Sequence, residues 1–142
     1  MSNVLFTAEA TAKGGRNGQV ISDDRILNFQ LVMPTESSDK EGTNPEQLFA
    51  AGYSACFDGA LNLIAKKKRK IIESSTTTIV SFEKDPEDGG FKIAVKLKIN
   101  IEGVSQEDAD MLAVAAHEFC PYSKAIKGNV DVQLEPVAVM TD

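Results

Sequence analysis

Two cysteines, Cys56 and Cys120, stand 64 positions apart in a chain of 142 residues. Cysteine sulfur does its chemistry as a thiolate, either as a nucleophile or as a metal ligand. Taken singly, each cysteine also reads as a small buried hydrophobe. Cys120 precedes Pro121, which suits the first position of a helical turn. That makes Cys120 an N-cap, where free N–H groups favour a thiolate. No CxxC unit is present, so no structural zinc site is expected. His117, the single histidine, offers little to complete a metal site or a Cys–His dyad, and reads as a satisfied surface or core residue. Arg16 lies in Lys13-Gly14-Gly15-Arg16-Asn17-Gly18. A strand pattern follows that glycine-rich turn, so it is no phosphate cradle, and alone Arg16 reads as a solvated loop charge. Glu46 has a sufficient role as an acid in the first turn of a helix.

The elements that must position these residues follow from periodicity and turn chemistry. Residues 3–12, 19–22 and 28–32 read as short strands of a small antiparallel sheet, with the glycine-rich turn between the first two. A polar, acidic loop from Pro34 to Thr43 leads to Asn44-Pro45-Glu46-Gln47, which has an N-cap residue, a first-position proline and the Gln of a capping box. The helix it starts is expected over 45–70. Its apolar stripe, Leu48, Gly52, Ala55, Cys56, Gly59, Ala60 and Leu63, is half small residues, which suits a close approach by another backbone. Lys66-Lys67-Lys68-Arg69-Lys70 at its end complements the helix dipole. Residues 75–101 form a hairpin, with Phe91, Ile93, Val95, Leu97, Ile99 and Ile101 in almost strict alternation. A second helix is expected over 106–119, a short helical turn over 122–127 and a last strand over 129–138. Strands joined by hairpins, with segregated helices, make this α+β with antiparallel sheets, a long central helix and a second helix, all in one domain, 1–142.

Composition narrows the function classes. Fifteen Lys and Arg against 21 Asp and Glu give a net charge of −6, which disfavours nucleic-acid binding. With 42% apolar and 25% charged residues the chain has the make-up of an ordinary globule. The longest stretch without a formal charge is the 11 residues from Gln47 to Phe57, so no membrane span is expected. The N-terminus lacks the basic start and apolar segment of a signal peptide, and two cysteines are too few for a secreted disulfide scaffold. The expected location is the cytoplasm.

Three segments together resemble a known family. Asn44-Pro45-Glu46-Gln47-Leu48-Phe49-Ala50-Ala51-Gly52-Tyr53-Ser54-Ala55-Cys56-Phe57 is similar to the first cysteine motif of the organic hydroperoxide resistance proteins, in the osmotically-inducible-C superfamily. Phe119-Cys120-Pro121-Tyr122-Ser123-Lys124-Ala125 resembles their second, and Gly15-Arg16-Asn17-Gly18 their arginine loop. The resemblance implies an intertwined homodimer and a thiol peroxidase for organic hydroperoxides. It implies no bound cofactor or metal, and recycling of a redox-active disulfide by dihydrolipoamide or a lipoylated protein. By the same resemblance Cys56 is the peroxidatic cysteine, Cys120 the resolving one, Arg16 the activating cation and Glu46 its partner.

The chemistry fits those residue types. Only a few per cent of a free thiol is ionised at neutral pH, and a fixed guanidinium beside it favours the thiolate. A glutamate holds such an arginine in a bidentate pose. Glu46 and Cys56 are ten positions apart, about 15 Å along an unbroken helix. Either the helix breaks at Gly52, or the Arg16 and Glu46 serving Cys56 come from a partner subunit, and the small-residue stripe favours the partner. Phe49, Tyr53 and Phe57 flank Cys56 and either line an apolar substrate pocket or belong to the core. Two other readings compete with an enzyme: a redox-sensing or small-ligand-binding dimeric module without turnover, and a structural stress protein whose cysteines merely pack.

Overall fold

The computed structural model describes residues 3–35 and 40–140. The predicted loop from Pro34 to Thr43 lies partly outside the described residues. The chain forms two compact units, residues 1–48 and 49–142.

The first unit is a three-stranded antiparallel sheet of β1 (Ala10–Lys13), β2 (Gln19–Ser22) and β3 (Asn28–Gln30), in that order. The strand expected over 3–12 is shorter and later than its pattern suggested. Residues 3–9 make no ladder, and Val4, Leu5 and Phe6 are exposed. Leu31 is the buried hydrophobic residue of this unit among those described. It bridges to Thr43, and the N–H of Val32 and the C=O of Gln30 bond the Thr43 backbone. That pairing anchors the entry to helix α1 (Pro45–Lys67). The Asn44 side chain caps α1 by accepting from the N–H of Gln47 at 2.8 Å, as expected. The Gln47 side chain accepts instead from the Thr43 hydroxyl, at 2.5 Å.

The second unit holds the rest of α1 and a three-stranded sheet of order β4-β5-β6: β4 (Glu73–Lys84), β5 (Phe91–Glu102) and β6 (Val132–Val139). The predicted hairpin is present, with Val80 opposite Val95 and Phe82 opposite Ile93. Against an all-antiparallel expectation, β6 runs parallel to β5, with Leu97 opposite Leu134. The reason is the connection: α2 (Gln106–Phe119) and α3 (Pro121–Ile126) together form a helical crossover, which returns the chain in the same direction. Pro136 sits on this edge strand, where its missing N–H is tolerated. The Gln106 side chain covers part of that edge, donating to the C=O of Pro136 and accepting from the N–H of Ala138.

Alternation puts Val95, Leu97, Ile99 and Ile101 in the core beside Ala109, Leu112, Ala113 and Ala116 of α2. From α1 the buried residues are Tyr53, Phe57, Ala60, Leu61 and Ala65. The small-residue stripe is therefore only partly a core face: Ala60 is buried and Cys56 packs against the core, whereas Ala55, Gly59 and Leu63 are exposed, and a Cβ on Gly59 would meet nothing within 4 Å.

By length and composition α1 is long and apolar enough to cross a bilayer. Within unit two, however, it carries a polar seam against β4. Asp58 accepts from Ser74 at 2.8 Å and Thr76 at 3.0 Å, and Ser54 pairs with Thr78 at 2.8 Å. Helix α1 stops at Lys67, three residues before the predicted end. Arg69 turns left-handed (φ 57°), and the N–H of Lys70 bonds back to the C=O of Ala65. The basic run is put to structural use. Lys70 pairs with Asp108 at 3.0 Å, and the Lys67 ammonium lies 5.3 Å from the centre of the Phe119 ring.

Candidate active site

The predicted site residues form two pairs, each inside one unit. In the first unit Arg16 occupies a 3-10 turn, Gly15–Asn17, between β1 and β2. Gly14 and Gly15 are left-handed (φ 84° and 64°), a conformation glycine adopts without strain. At Gly18 a Cβ would lie 1.8 Å from the C=O of Lys13, so no side chain fits there. The turn holds the Arg16 guanidinium in a two-bond fork on Glu46, Nη1 to Oε1 at 2.7 Å and Nη2 to Oε2 at 3.0 Å. Glu46 raises the Arg16 pKa further, first by that hydrogen bond, so the cation is permanent. A partly exposed pair of this kind contributes about 1 kcal/mol at most. Against a typical stability of roughly 5–15 kcal/mol, that orients a side chain without holding the fold together.

In the second unit the Cys56 and Cys120 sulfurs are 3.4 Å apart, both as free thiols. Cys56 comes from the middle of α1, half-buried, and Cys120 from the junction of α2 and α3, fully buried. The junction is a corner. The Cys120 N–H ends α2 on the C=O of Ala116, and its extended backbone then starts α3 at Pro121. Cys120 is the N-cap residue of α3, as expected, with Pro121 in the first turn, although its sulfur makes no capping hydrogen bond to an N–H of α3. The amide of Tyr122 serves Cys56 instead. Burial pushes the Cys56 thiol up, the Tyr122 N–H pulls it down, and the neighbouring Cys120 thiol pushes it up again.

Helix α1 is unbroken through Gly52, so of the two alternatives the sequence offered, the less favoured one, a break at Gly52, is excluded. A Cβ on Gly52 would lie 2.9 Å from the Tyr122 hydroxyl, and the glycine makes room for that ring. Tyr122 completes an aromatic group with Phe49 and Tyr53, its ring centre 6.1 and 5.8 Å from theirs. Phe49, Tyr53 and Phe57 divide between the two readings, pocket and core, that the sequence left open. Tyr53 and Phe57 have no exposed surface and belong to the core, which leaves Phe49 half-buried and Tyr122 partly open to solvent.

Sequence reasoning missed a polar cluster behind the sulfurs. The Ser123 hydroxyl, almost fully buried, lies 2.5 Å from the Tyr53 hydroxyl and 2.8 Å from His117 Nδ1. The signal was available: Ser123 follows Cys120 by three residues and His117 precedes it by three, which puts both beside the corner. Among the described residues no cluster of His, Cys, Asp or Glu is arranged to hold a metal ion.

A thiol pair at this distance, with one sulfur reachable from outside and one enclosed, can take up an oxidising equivalent at the first and close a disulfide with the second. Comparison with known proteins identifies the family. The family model for OsmC-like protein matches residues 37–135. The chain is 56% identical over 132 residues to organic hydroperoxide resistance protein OhrB of Bacillus subtilis, spanning 92% of this chain and 97% of that protein. It is 51% identical over 138 residues to OhrA of the same organism, spanning 95% and 98%. The crystal structure of OhrB superposes with a TM-score of 0.90, covering 93% of this chain and 98% of that one. Sequence, fold and the paired cysteines thus agree, and the chain belongs to the OsmC-like family, among its organic hydroperoxide resistance proteins.

Proposed function

We propose that this chain is a thiol-dependent peroxidase that reduces organic hydroperoxides to alcohols in defence against oxidative stress. The observation that carries the reading is the 3.4 Å separation of the two free sulfurs, supported by the names its relatives bear. The Cys56 thiolate attacks the terminal peroxide oxygen. The O–O bond breaks, the alkoxide leaves and takes a proton, and Cys56 becomes a sulfenic acid. Cys120 then attacks that sulfur, and the S–O bond breaks. Its thiol proton and the departing hydroxide make water as the disulfide closes. A dihydrolipoyl dithiol, free or on a lipoylated protein, restores both thiols and becomes the cyclic disulfide. The protein itself needs no bound cofactor. Cytoplasm is the compartment that suits a disulfide formed and reduced in each cycle.

Burial alone favours the neutral Cys56 thiol, so the thiolate needs a cation, and Arg16 held by Glu46 is the one we assign. We assign it to the Cys56 of a partner subunit in a homodimer. Support comes from the unbroken helix between Glu46 and Cys56 and from exposed apolar surface at Val4, Leu5 and Phe6 and along Ala51, Ala55 and Gly59. A dilute monomer, defined by sedimentation, that kept full activity would refute the shared site.

The test of the whole reading is steady-state consumption of cumene hydroperoxide with dihydrolipoamide, thioredoxin or glutathione as reductant. Sustained turnover with dihydrolipoamide is expected. A single stoichiometric burst would mark a redox sensor, and thiols inert to peroxide a protein whose cysteines only pack.

A further inference from the structure

Five consecutive cations, Lys66-Lys67-Lys68-Arg69-Lys70, hold a third of all the Lys and Arg in a chain whose net charge is −6. The helix dipole accounts for only part of this run. Its field falls off within the last turn, and α1 ends at Lys67, so Lys68, Arg69 and Lys70 stand beyond it. Arg69 also has a left-handed backbone (φ 57°), at a point in the chain where helices usually place glycine. A cation is kept there at a conformational cost, and beside neighbours of the same charge.

The run is held at two points and open at the others. Lys70 pairs with Asp108 in the first turn of α2 at 3.0 Å, and the Lys67 ammonium lies 5.3 Å from the ring centre of Phe119, the last residue of that helix. Lys66, Lys68 and Arg69 make no ion pair among the described residues. Lys66, Arg69 and Lys70 line a surface cleft of about 550 Å³ together with Ile71, which is 93% exposed. Among the described residues no carboxylate lines that cleft. The same contacts tie the patch to the sulfurs. Phe119 directly precedes Cys120, whose sulfur is 3.4 Å from that of Cys56. Cys120 is fully buried and Cys56 half-buried, so a disulfide between them presents little surface to a thiol fixed on another folded protein. Cys56 and Lys67 are eleven positions apart, about 16 Å along α1. A span of that size suits a reductant carried on a long flexible arm.

We propose that residues 66–71 form a docking surface for an acidic protein segment that carries the reducing dithiol on such an arm. Carboxylates of that segment meet Lys66, Lys68 and Arg69, and an apolar side chain meets Ile71. The opposite charges raise the encounter rate and seat the partner beside the corner that bears Cys120. The arm's two thiols then give two electrons and two protons to the Cys56–Cys120 disulfide, which returns to two thiols as the arm closes its own disulfide. Nucleic acid fits this surface less well. An extended polyanion would run off the patch onto a chain that is acidic overall, whereas a compact acidic segment meets the patch alone. This inference rests on the reading that a dihydrolipoyl group recycles the disulfide, and it names how the carrier of that group is recognised.

The test uses the whole chain, oxidised with diamide, and two synthetic peptides that each carry one dihydrolipoyl-lysine, flanked by glutamates in one and by glutamines in the other. At low salt the glutamate peptide is expected to reduce the protein about tenfold faster. That advantage should vanish near about 1 M salt, where the screening length is about 3 Å. The variant combines Lys66→Gln, Lys68→Gln and Arg69→Asn, which preserve helix propensity and tolerate the left-handed backbone. It is expected to treat the two peptides alike while keeping its rate with free dihydrolipoamide, which carries no charge. Equal rates for the two peptides in the unaltered protein, or a preference that survives in the variant, would overturn the proposal. A variant with weakened subunit association in sedimentation would mark the run as an interface between copies and overturn it too, as would binding of a DNA duplex at the run in preference to the glutamate peptide. If no dihydrolipoyl compound reduces the protein, the recycling reading fails, and the affinities of the same two peptides still decide the surface. About tenfold tighter binding of the glutamate peptide, lost in the variant, would sustain it, and equal binding would reject it.

Discussion

The two units handle their chemistry differently. In residues 1–48 the functional pair is ionic and sits on a thin sheet whose described core is a single buried leucine, Leu31. In residues 49–142 the candidate pair is two free thiols beside a core of Leu97, Ile99, Leu112 and other fully buried side chains. The contrast follows from solvation. A guanidinium and a carboxylate stay charged cheaply where water reaches them, whereas a thiol is at home in a core that penalises its ionised form. The ion pair and the sulfur pair thus stand in separate parts of one chain, each in the surroundings that suit it.

The strongest way to break this division is to remove one member of each pair. Cys56→Ser is expected to abolish peroxide turnover, by at least about a thousandfold, while Cys120→Ser permits the first oxidation and halts recycling. Stopped-flow thiol loss separates the two. Next, Arg16→Ala is expected to slow that first oxidation about a hundredfold with a change in unfolding free energy below about 1 kcal/mol. Equal loss at the first step in Cys56, Cys120 and Arg16 variants would refute the assigned roles.

A smaller effect is expected at Gly52→Ala. The helix gains about 1 kcal/mol in propensity, offset by a new methyl 2.9 Å from the Tyr122 hydroxyl. Tyr122 must shift, and its N–H with it, so Cys56 alkylation should change several-fold while the melting temperature hardly moves.

The smallest effect is a pH window. His117 is depressed by burial, so its contribution is present above the ordinary histidine value of about 6.5 and is lost as pH falls below it. Cys56 is raised, first by burial, so its contribution is present below the ordinary thiol value of about 8.5 and is lost as pH rises past it. Melting curves of Arg16→Ala should therefore peak between those limits. Adding Cys56→Ser should flatten the alkaline side. A wild-type protein more stable at alkaline pH than its Arg16→Ala variant would sharpen the case that the cation reaches the sulfur.

Much of this arrangement was legible in the chain. Helix α2 begins and ends where its N-cap Ser105 and the Cys120-Pro121 corner require, and β2 and the alternating face of β5 match their patterns. Those features are local. The parallel pairing of β6 depends on contacts 37 residues apart, Val95 with Val132, and no periodicity encodes a direction. The stripe on α1 divides between core and surface, Ala60 buried and Ala55 and Gly59 exposed, because alanine and glycine suit a core and a close external contact equally. Tyr53 and Phe57 flank Cys56 in sequence, but a helix turns them inward, so adjacency did not become access. His117 and Ser123 are unremarkable alone, and only the corner at Cys120 brings them within 2.8 Å.

The Gln106 amide has one more consequence. Sheets with open flanks invite addition of foreign strands and growth into fibres. Here the outer flank of the last strand offers a proline with no proton to give, and the Pro136 carbonyl and the Ala138 N–H already answer to one side chain. Addition of a further strand on that side is thereby discouraged.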